Sequence, residues 1–365
     1  MNLSYVNQIH GGNIEKAKDT YNLDEERILD FSANINFSGP PPGLMKELKD
    51  NMEKIIHYPE SHSVGLTKKL ASSLNISEDN LIISNGAVEL IYQIVERIKP
   101  ELTLLPVPSF SEYEFAIKSI NGKIKYVYYD SENKLQANID EIISHFEEAN
   151  LLILCNPNNP TGTLIKLKNI HKLIEYAQEN GVFVVMDEAF IDFVKNNEDY
   201  TAIDLINNYD NLFILRSMTK FYAIPGLRLG YGIGNPDIIK SLKNNRDPWS
   251  VNTMAQIAGI YVLNDIKYRE KSRELNFIER DFLYQKLQEI KEIKPYKPTA
   301  NYIFMDISVA NLTSDELTDK LAREHILIRN CSSYKGLDDR YIRIAVKRRE
   351  DNLQLINKLK SIIKN

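Results

Sequence analysis

Short apolar runs, rich in β-branched and aromatic residues, recur along the chain and are separated by longer amphipathic stretches. The runs do not alternate polar with apolar residues, so each suits a strand that helices cover on both faces. The stretch 167–180, which stops at Asn180 and Gly181, is typical of the helices between them. This alternation predicts an α/β fold in which a mostly parallel sheet carries helices on both faces. The runs are LTLLPV (102–107), KYVYY (125–129), LLILC (151–155), VFVVMDEA (182–189), NLFILRS (211–217) and LGYGIG (229–234).

The length of the chain predicts more than one domain. At 365 residues it exceeds one average domain, so we expect a smaller companion beside the large one. The charged stretch 265–293 is typical of one long, solvated helix that leaves the large domain. We therefore predict an N-terminal segment (1–50) that joins the small domain and lines the functional site, a large α/β domain (51–265), and a linking helix with a small α+β domain (266–365).

Composition and charge exclude several classes of function. A net charge of −5 offers no broad cationic surface for a nucleic-acid backbone, so we expect no nucleic-acid partner. No run approaches the roughly 20 apolar residues that cross a bilayer, and the start lacks an apolar secretory core, so we expect no membrane association. Cys155 and Cys331 match neither a disulfide framework nor a zinc site, which favours a reducing compartment, the cytoplasm, and no bound metal.

In RSMTKFYAIPGLRLGYGIG (216–234), Lys220 follows the hydroxyls of Ser217 and Thr219 and precedes Arg228, in apolar, glycine-bearing surroundings. Partial desolvation of Lys220 would lower its pKa and free the amine for Schiff-base chemistry, although a lysine can also snorkel at a strand end. Ser217, Thr219 and Arg228 supply the donors that hold a phosphate dianion. Together they predict a phosphorylated aldehyde cofactor.

Three further side chains follow predicted strands and each has two interpretations. Asp187 could cap a helix or pair with a protonated pyridine nitrogen. Asn159, in CNPNNPTG (155–162), belongs to a turn-rich loop and could aim its amide at a ring hydroxyl. Phe110 could be a core aromatic or could stack on a planar cofactor.

A glycine-containing turn leads straight into an amphipathic helix in SNGAVELIYQIVERI (84–98). The backbone N–H groups of Gly86, Ala87 and Val88 would be exposed at the start of that helix and would form a second half of an anion site. Alone, such a turn is weak evidence for a ligand.

In their order along the chain, six motifs resemble the fold-type-I pyridoxal-phosphate enzymes of the aspartate-aminotransferase type. The resemblance extends over nearly the whole chain and implies an enzyme with a large α/β domain, a smaller domain and pyridoxal phosphate as cofactor. The motifs are NGA (85–87), PSF (108–110), NPNNPTG (156–162), DEA (187–189), SMTK (217–220) and GLRLG (226–230).

The resemblance also implies a role for each matching residue. Lys220 would carry the cofactor aldehyde as a Schiff base and shuttle protons, Asp187 would hold the ring N–H, and Asn159 would contact the ring hydroxyl. Phe110 would stack on the ring. The cofactor phosphate would be bound by the backbone of Gly86, Ala87 and Val88 and by Ser217, Thr219 and Arg228.

In this family the active sites lie between two subunits, which implies a homodimer with shared sites. Tyr58, in HYPE (57–60), matches the tyrosine that reaches the partner's cofactor phosphate. Arg343, in RYIRIAV (340–346), matches the arginine that clamps the substrate α-carboxylate. Without the family it would be interpreted as a surface arginine at a strand edge.

Two branches of the family recognise a phosphate group on the substrate. The resemblance is closer to the branch that decarboxylates O-phospho-L-threonine, whose product feeds the cobalamin side chain, than to the branch that transaminates histidinol phosphate. A non-catalytic sensor that keeps the fold is a remote alternative. The closer matches are HGGN (10–13), DFSANIN (30–36), DEAFIDF (187–193), LRSMTKFYAIPGLRLGY (215–231), PWSVN (248–252) and LIRNC (327–331).

A phosphoamino acid brings a second anion that needs its own donors. Arg329 is the best candidate, and the glycines of the N-terminal segment would let backbone approach the phosphate. For His10 the alternative is an ordinary exposed histidine. Phe190 stands where many members carry a tyrosine that bonds the ring oxygen, a change compatible with decarboxylation without proving it. The predicted substrate ligands are His10, Gly11, Gly12, Asn13, Asn36, Asn159, Arg329 and Arg343.

Overall fold

The computed structural model describes residues 11–130 and 135–364. The predicted ligand His10 lies outside the described residues. The strands are β1 (Leu29–Asp30), β2 (Leu81–Ser84), β3 (Leu102–Val107), β4 (Lys123–Tyr128), β5 (Leu151–Cys155), β6 (Phe183–Asp187), β7 (Leu212–Ser217), β8 (Gly230–Gly234), β9 (Lys294–Pro295), β10 (Tyr302–Asp306), β11 (Ile326–Leu327), β12 (Arg329–Asn330) and β13 (Tyr341–Ala345).

Helices precede and follow most of these strands. They are α1 (Ile14–Tyr21), α2 (Leu44–Asp50), α3 (Val64–Leu74), α4 (Ala87–Ile98), α5 (Glu112–Ser119), α6 (Ile139–Ile143), α7 (Leu167–Glu179), α8 (Met218–Phe221), α9 (Pro236–Asn244), α10 (Thr253–Leu263), α11 (Ile266–Gln288), α12 (Ser314–Arg323) and α13 (Arg349–Lys364). Among the described residues, no helix is long and apolar enough to cross a membrane.

The larger sheet has the strand order β2-β8-β7-β6-β5-β3-β4, and its pairs are parallel except for those of β8, which is antiparallel to β2 and β7. Successive side chains of a strand point to opposite faces. Leu152 and Leu154 accordingly enter one apolar core, whereas Ile153 enters the other. Helices cover both cores, so the predicted α/β class is confirmed. The apolar runs of the sequence did not predict one strand of this sheet, β2, which lies at its edge.

The smaller sheet is antiparallel, in the order β12-β13-β10-β9, and packs against α11, α12 and α13 around a separate apolar core. The N-terminal segment belongs to this part of the molecule, because β1 pairs in parallel with β11 and Phe31 is buried in the same core. The long helix predicted at 265–293 is present as α11, but it is not wholly solvated. The three domain boundaries stay predictions.

Parallel strands bring their carboxyl ends to one edge of the sheet. Cys155, Asp187 and Leu215 are register partners on β5, β6 and β7. A buried ion pair links the ends of β6 and β7. It joins Arg216 to Glu188 at 2.7 Å. Side chains that follow these strands therefore converge on the same place.

Candidate active site

Lys220 lies on α8, which begins directly after β7. Its Nζ donates to Ser217 Oγ at 3.1 Å, and that hydroxyl is 2.7 Å from Thr219 Oγ1. Burial lowers the pKa of Lys220 to about 8, with help from the charge of Arg228 and against the charge of Asp187. The amine is thus largely neutral at mildly alkaline pH, which is the form that attacks an aldehyde.

Asp187 is the last residue of β6 and is 5% exposed. Its Oδ1 accepts from the Ala189 N–H at 2.8 Å, and its Oδ2 accepts from the Tyr113 hydroxyl at 2.6 Å. Burial raises the pKa of Asp187, while these donors and the charge of Lys220 oppose the rise. Within the described ranges no Lys or Arg forms an ion pair with Asp187, so a protonated ring nitrogen would supply its missing counter-charge.

The predicted phosphate donors lie around the start of α4, but the Gly86 N–H is not free, because it donates to the Ser84 carbonyl at 2.9 Å. Gly86 has φ +78°, and a Cβ there would lie 2.3 Å from a terminal guanidinium nitrogen of Arg228. Gly230 faces Ser217 across the sheet, and a Cβ on Gly230 would lie 2.5 Å from the Ala87 nitrogen. The glycines therefore let β7, β8 and the free N–H groups of α4 close around a small space.

Asn159 is fixed by the small sheet. The Arg343 guanidinium and the Tyr334 hydroxyl, the latter at 3.3 Å, both donate to Asn159 Oδ1. Its side-chain nitrogen has no hydrogen-bond partner in the described part of the chain, so this donor stays available for a ligand. Phe110 is half-buried just after β3 and meets the Tyr113 ring edge to face at 5.7 Å.

Arg343 and Arg329 are direct cross-strand partners on β13 and β12, and both are buried. Arg343 donates to the Ser32 carbonyl at 2.8 Å, and Arg329 donates to Ser333 Oγ at 3.0 Å. Neither arginine forms an ion pair with any carboxylate of residues 11–130 or 135–364. Two buried cations on one face repel each other, so the arrangement favours a ligand with more than one anionic group.

Gly11 and Gly12 lie beside Ser32, whose carbonyl Arg343 contacts. The Gly12 N–H donates to Ser32 Oγ at 2.7 Å, and a Cβ on Gly11 would lie 2.2 Å from the Ser32 carbonyl oxygen, which Arg343 also contacts. Asn13 instead uses its side-chain oxygen to cap α1, accepting from Lys16 at 3.0 Å. The substrate roles of all three stay predictions.

Asn36 and Tyr58 are the remaining predicted residues. The Asn36 backbone N–H donates to the Lys220 carbonyl at 3.0 Å, which places Asn36 next to the lysine. Asn36 donates to the Phe221 carbonyl at 2.8 Å and to Tyr268 at 3.1 Å, and its oxygen accepts from Ser38 at 3.0 Å. Its polar atoms are engaged within the chain, a geometry that does not favour substrate contact. Tyr58 is 81% exposed and packs on Trp249 with ring centroids 4.9 Å apart.

The sequence analysis missed Tyr113, Tyr334 and Ser32, which contact Asp187, Asn159 and Arg343. Tyr113 follows Phe110 by three residues, and nothing in that spacing shows that its hydroxyl reaches another strand. Phe190 is buried edge-on to Tyr302 at 5.1 Å.

Comparisons with known proteins agree with this architecture. The family model described as "Aminotransferase class I and II" matches residues 26–359. A "Putative threonine-phosphate decarboxylase" of Caldanaerobacter subterraneus subsp. tengcongensis is 38% identical over 97% of this chain and 93% of that protein. The histidinol-phosphate aminotransferase of Methanosphaera stadtmanae is 32% identical over 99% of this chain and 97% of that protein. The crystal structure of the histidinol-phosphate aminotransferase from Clostridium acetobutylicum is 32% identical, with a TM-score of 0.87 over 93% of this chain and 100% of that chain.

Replacement of Gly86 by alanine should weaken the binding of pyridoxal phosphate. The new Cβ would strike the Arg228 guanidinium and displace it from the predicted phosphate site. A hydrogen bond to a charged group is worth about 1.5–3 kcal/mol, so the dissociation constant should rise about tenfold or more. Fluorescence titration of the cofactor-free protein measures it. Gly226→Ala is the matched control, because a Cβ at Gly226 meets nothing within 4 Å. Equal affinities for the two variants would contradict the predicted phosphate site.

The lowered pKa of Lys220 predicts how attachment of the cofactor depends on pH. Below pH 8 the fraction of Lys220 that is neutral should increase about tenfold for each pH unit. The rate of covalent attachment should therefore increase by the same factor and level off above pH 8. Stopped-flow absorbance of the cofactor-free protein records this rate. A rate that keeps rising towards the ordinary lysine pKa would count against the burial argument, and Lys220→Ala should lack the covalent band.

Proposed function

The chain belongs to the aminotransferase class I and II family and is a pyridoxal-phosphate-dependent enzyme, and from this premise we propose that it converts O-phospho-L-threonine to (R)-1-amino-2-propanol O-phosphate and carbon dioxide. The observation that carries the proposal is the buried pair Arg329 and Arg343, directly opposite each other without an acidic partner among the described residues. O-phospho-L-threonine has both a carboxylate and a phosphate to meet two such cations.

The proposed roles divide between the two ends of the substrate. Arg343 would bind the α-carboxylate and Arg329 the phosphate. Arg343 is oriented by the Ser32 carbonyl at 2.8 Å, whereas Arg329 is oriented by Ser333 at 3.0 Å and by the Tyr334 ring, whose centroid is 5.0 Å from the guanidinium carbon. Because each guanidinium is held before the substrate arrives, little side-chain freedom is lost on binding.

Pyridoxal phosphate, when bound, supplies a ring system that accepts the electrons left on Cα. By holding the α-carboxylate in one orientation, Arg343 would decide whether the carboxylate leaves. Asp187 would keep the ring nitrogen protonated, and Lys220, with a pKa of about 8, would return a proton to Cα. Asn159 would donate to the ring hydroxyl from its free amide.

We also propose a homodimer with shared active sites. Exposed apolar side chains lie on α2, α3, α10 and the segments beside them, which pack against one another. A patch of this kind favours a protein partner, and a second copy would cover it. Tyr58, which belongs to this patch, would then reach the partner's cofactor phosphate. The patch consists of Met45, Met52, Ile55, Ile56, Tyr58, Val64, Trp249 and Ile260.

The second candidate is transamination of histidinol phosphate, which two of the similar proteins named above support. It would use the same cofactor contacts, but its amino donor carries only the phosphate. The stronger identity to a protein with a decarboxylase name favours the first candidate.

Two parallel assays separate the candidates. With O-phospho-L-threonine the purified enzyme should release carbon dioxide in step with the phosphorylated amine, while histidinol phosphate with 2-oxoglutarate should yield no glutamate. Glutamate without carbon dioxide would establish the transaminase instead, and cofactor binding without either product would favour a sensor. O-phosphoserine belongs in the assay, since one methyl group discriminates by only about 1–3 kcal/mol.

Replacement of Arg329 by glutamine tests the phosphate contact. Hydrogen bonds to charged groups are worth about 1.5–3 kcal/mol, so kcat/KM for O-phospho-L-threonine should fall about 10- to 100-fold, while the cofactor absorbance stays unchanged. Arg340→Gln is the control, because Arg340 is exposed and pairs with Asp338. A wild-type kcat/KM in Arg329→Gln would exclude the phosphate role.

A further inference from the structure

Tyr113 lies on α5 and is completely buried, yet its hydroxyl ends 2.6 Å from Asp187 Oδ2. The two residues are 74 positions apart and belong to different layers, α5 and the sheet. The Phe110 ring meets the Tyr113 ring edge to face at 5.7 Å. Packing and the hydrogen bond thus fix both ends of the tyrosine.

The direction of this hydrogen bond follows from charge. Burial raises the pKa of Tyr113 well above its usual range, and the negative charge of Asp187 adds to the rise. The phenol therefore keeps its proton, whereas an ionised carboxylate can only accept. Tyr113 is the donor and Asp187 is the acceptor.

Few other groups stabilise the charge on Asp187. The Ala189 N–H donates to the other oxygen, and the Lys220 amine acts through its charge, which is lost once the amine is neutral. The Cys155 thiol also lies close by, but burial raises its pKa, so it stays neutral. Among the described side chains, Tyr113 alone donates a hydrogen bond to Asp187.

The basicity of Asp187 matters because it would share a proton with the ring nitrogen. Burial raises the pKa of Asp187, and the Tyr113 hydrogen bond opposes that rise. A carboxylate that lost this donor would be the stronger base and would draw the proton from the pyridine towards itself. The ring would then accept electrons less well.

We propose that Tyr113 is a positioning residue that, by donating its hydroxyl proton to Asp187, keeps this carboxylate ionised and aimed so that the cofactor nitrogen stays protonated. The inference rests on the proposed contact between Asp187 and the ring nitrogen. It does not depend on which substrate the enzyme uses, since decarboxylation and transamination both need the protonated ring. Its failure is therefore distinguishable from a failure of the carbon dioxide assay.

The experiment uses the enzyme loaded with pyridoxal phosphate labelled with ¹⁵N in the ring. In Tyr113→Phe the ¹⁵N resonance should move from the protonated towards the unprotonated pyridine position. Retention of the cofactor should weaken about tenfold, equivalent to about 1.4 kcal/mol. Tyr92→Phe is the matched control, because Tyr92 donates to the Glu112 carboxylate at 2.9 Å, and it should leave the resonance in place.

A double-mutant cycle with Asp187→Asn distinguishes action through the carboxylate from simple packing. If Tyr113 acts through Asp187, then Tyr113→Phe should change cofactor retention little in the Asp187→Asn background. An equal loss in both backgrounds, or an unmoved ¹⁵N resonance in Tyr113→Phe, would overturn the proposal.

A second variant covers the case in which Tyr113→Phe does not fold. Incorporation of 3-fluorotyrosine at position 113 keeps the ring and the hydroxyl but makes the phenol a stronger donor. The ¹⁵N resonance should then move further towards the protonated position, opposite to the phenylalanine variant. A shift in the same direction as that variant, or no shift, would contradict the role of Tyr113.

Discussion

A carboxylate buried at the carboxyl end of a central strand is the constraint on which the rest of the site depends. Burial disfavours the charge of Asp187, so the protein surrounds it with a backbone N–H, the Tyr113 hydroxyl and the nearby Lys220. Burial acts on Lys220 in the opposite sense and makes its amine easier to deprotonate. A cofactor with a cationic ring nitrogen and an aldehyde satisfies both groups at once.

A second imbalance of charge lies on the small sheet. Arg329 and Arg343 face each other on adjacent strands without an acidic partner in the described ranges, and they are held by neutral oxygens of Ser333 and Ser32. The large sheet thus presents an amine and a carboxylate that suit the cofactor, and the small sheet presents two cations that suit anionic groups. A phosphoamino acid bound beside the cofactor would bring a carboxylate and a phosphate to these cations, which is why the proposed substrate suits this arrangement.

The sequence predicted the fold best where burial is complete. The strands at 102–107 and 151–155 have the predicted bounds, because a strand covered on both faces must be apolar throughout. The strand Leu81–Ser84 was missed, since four residues carry too little pattern. The helix α11 was predicted as solvated, yet it buries Tyr268, Ser272, Asn276 and Arg280, because the surface it packs against is not visible in its own sequence.

The sequence alone determined the family, the cofactor and the local groupings, such as Ser217 and Lys220, three residues apart on one strand-to-helix turn. Such neighbours follow from backbone geometry over a few residues. Only the tertiary structure decided that Tyr113 donates to Asp187 and that Arg329 faces Arg343. It also decided that the Asn36 amide donates to Phe221 and Tyr268. These contacts join residues from separate elements, so they depend on strand order and helix packing, which no local pattern encodes.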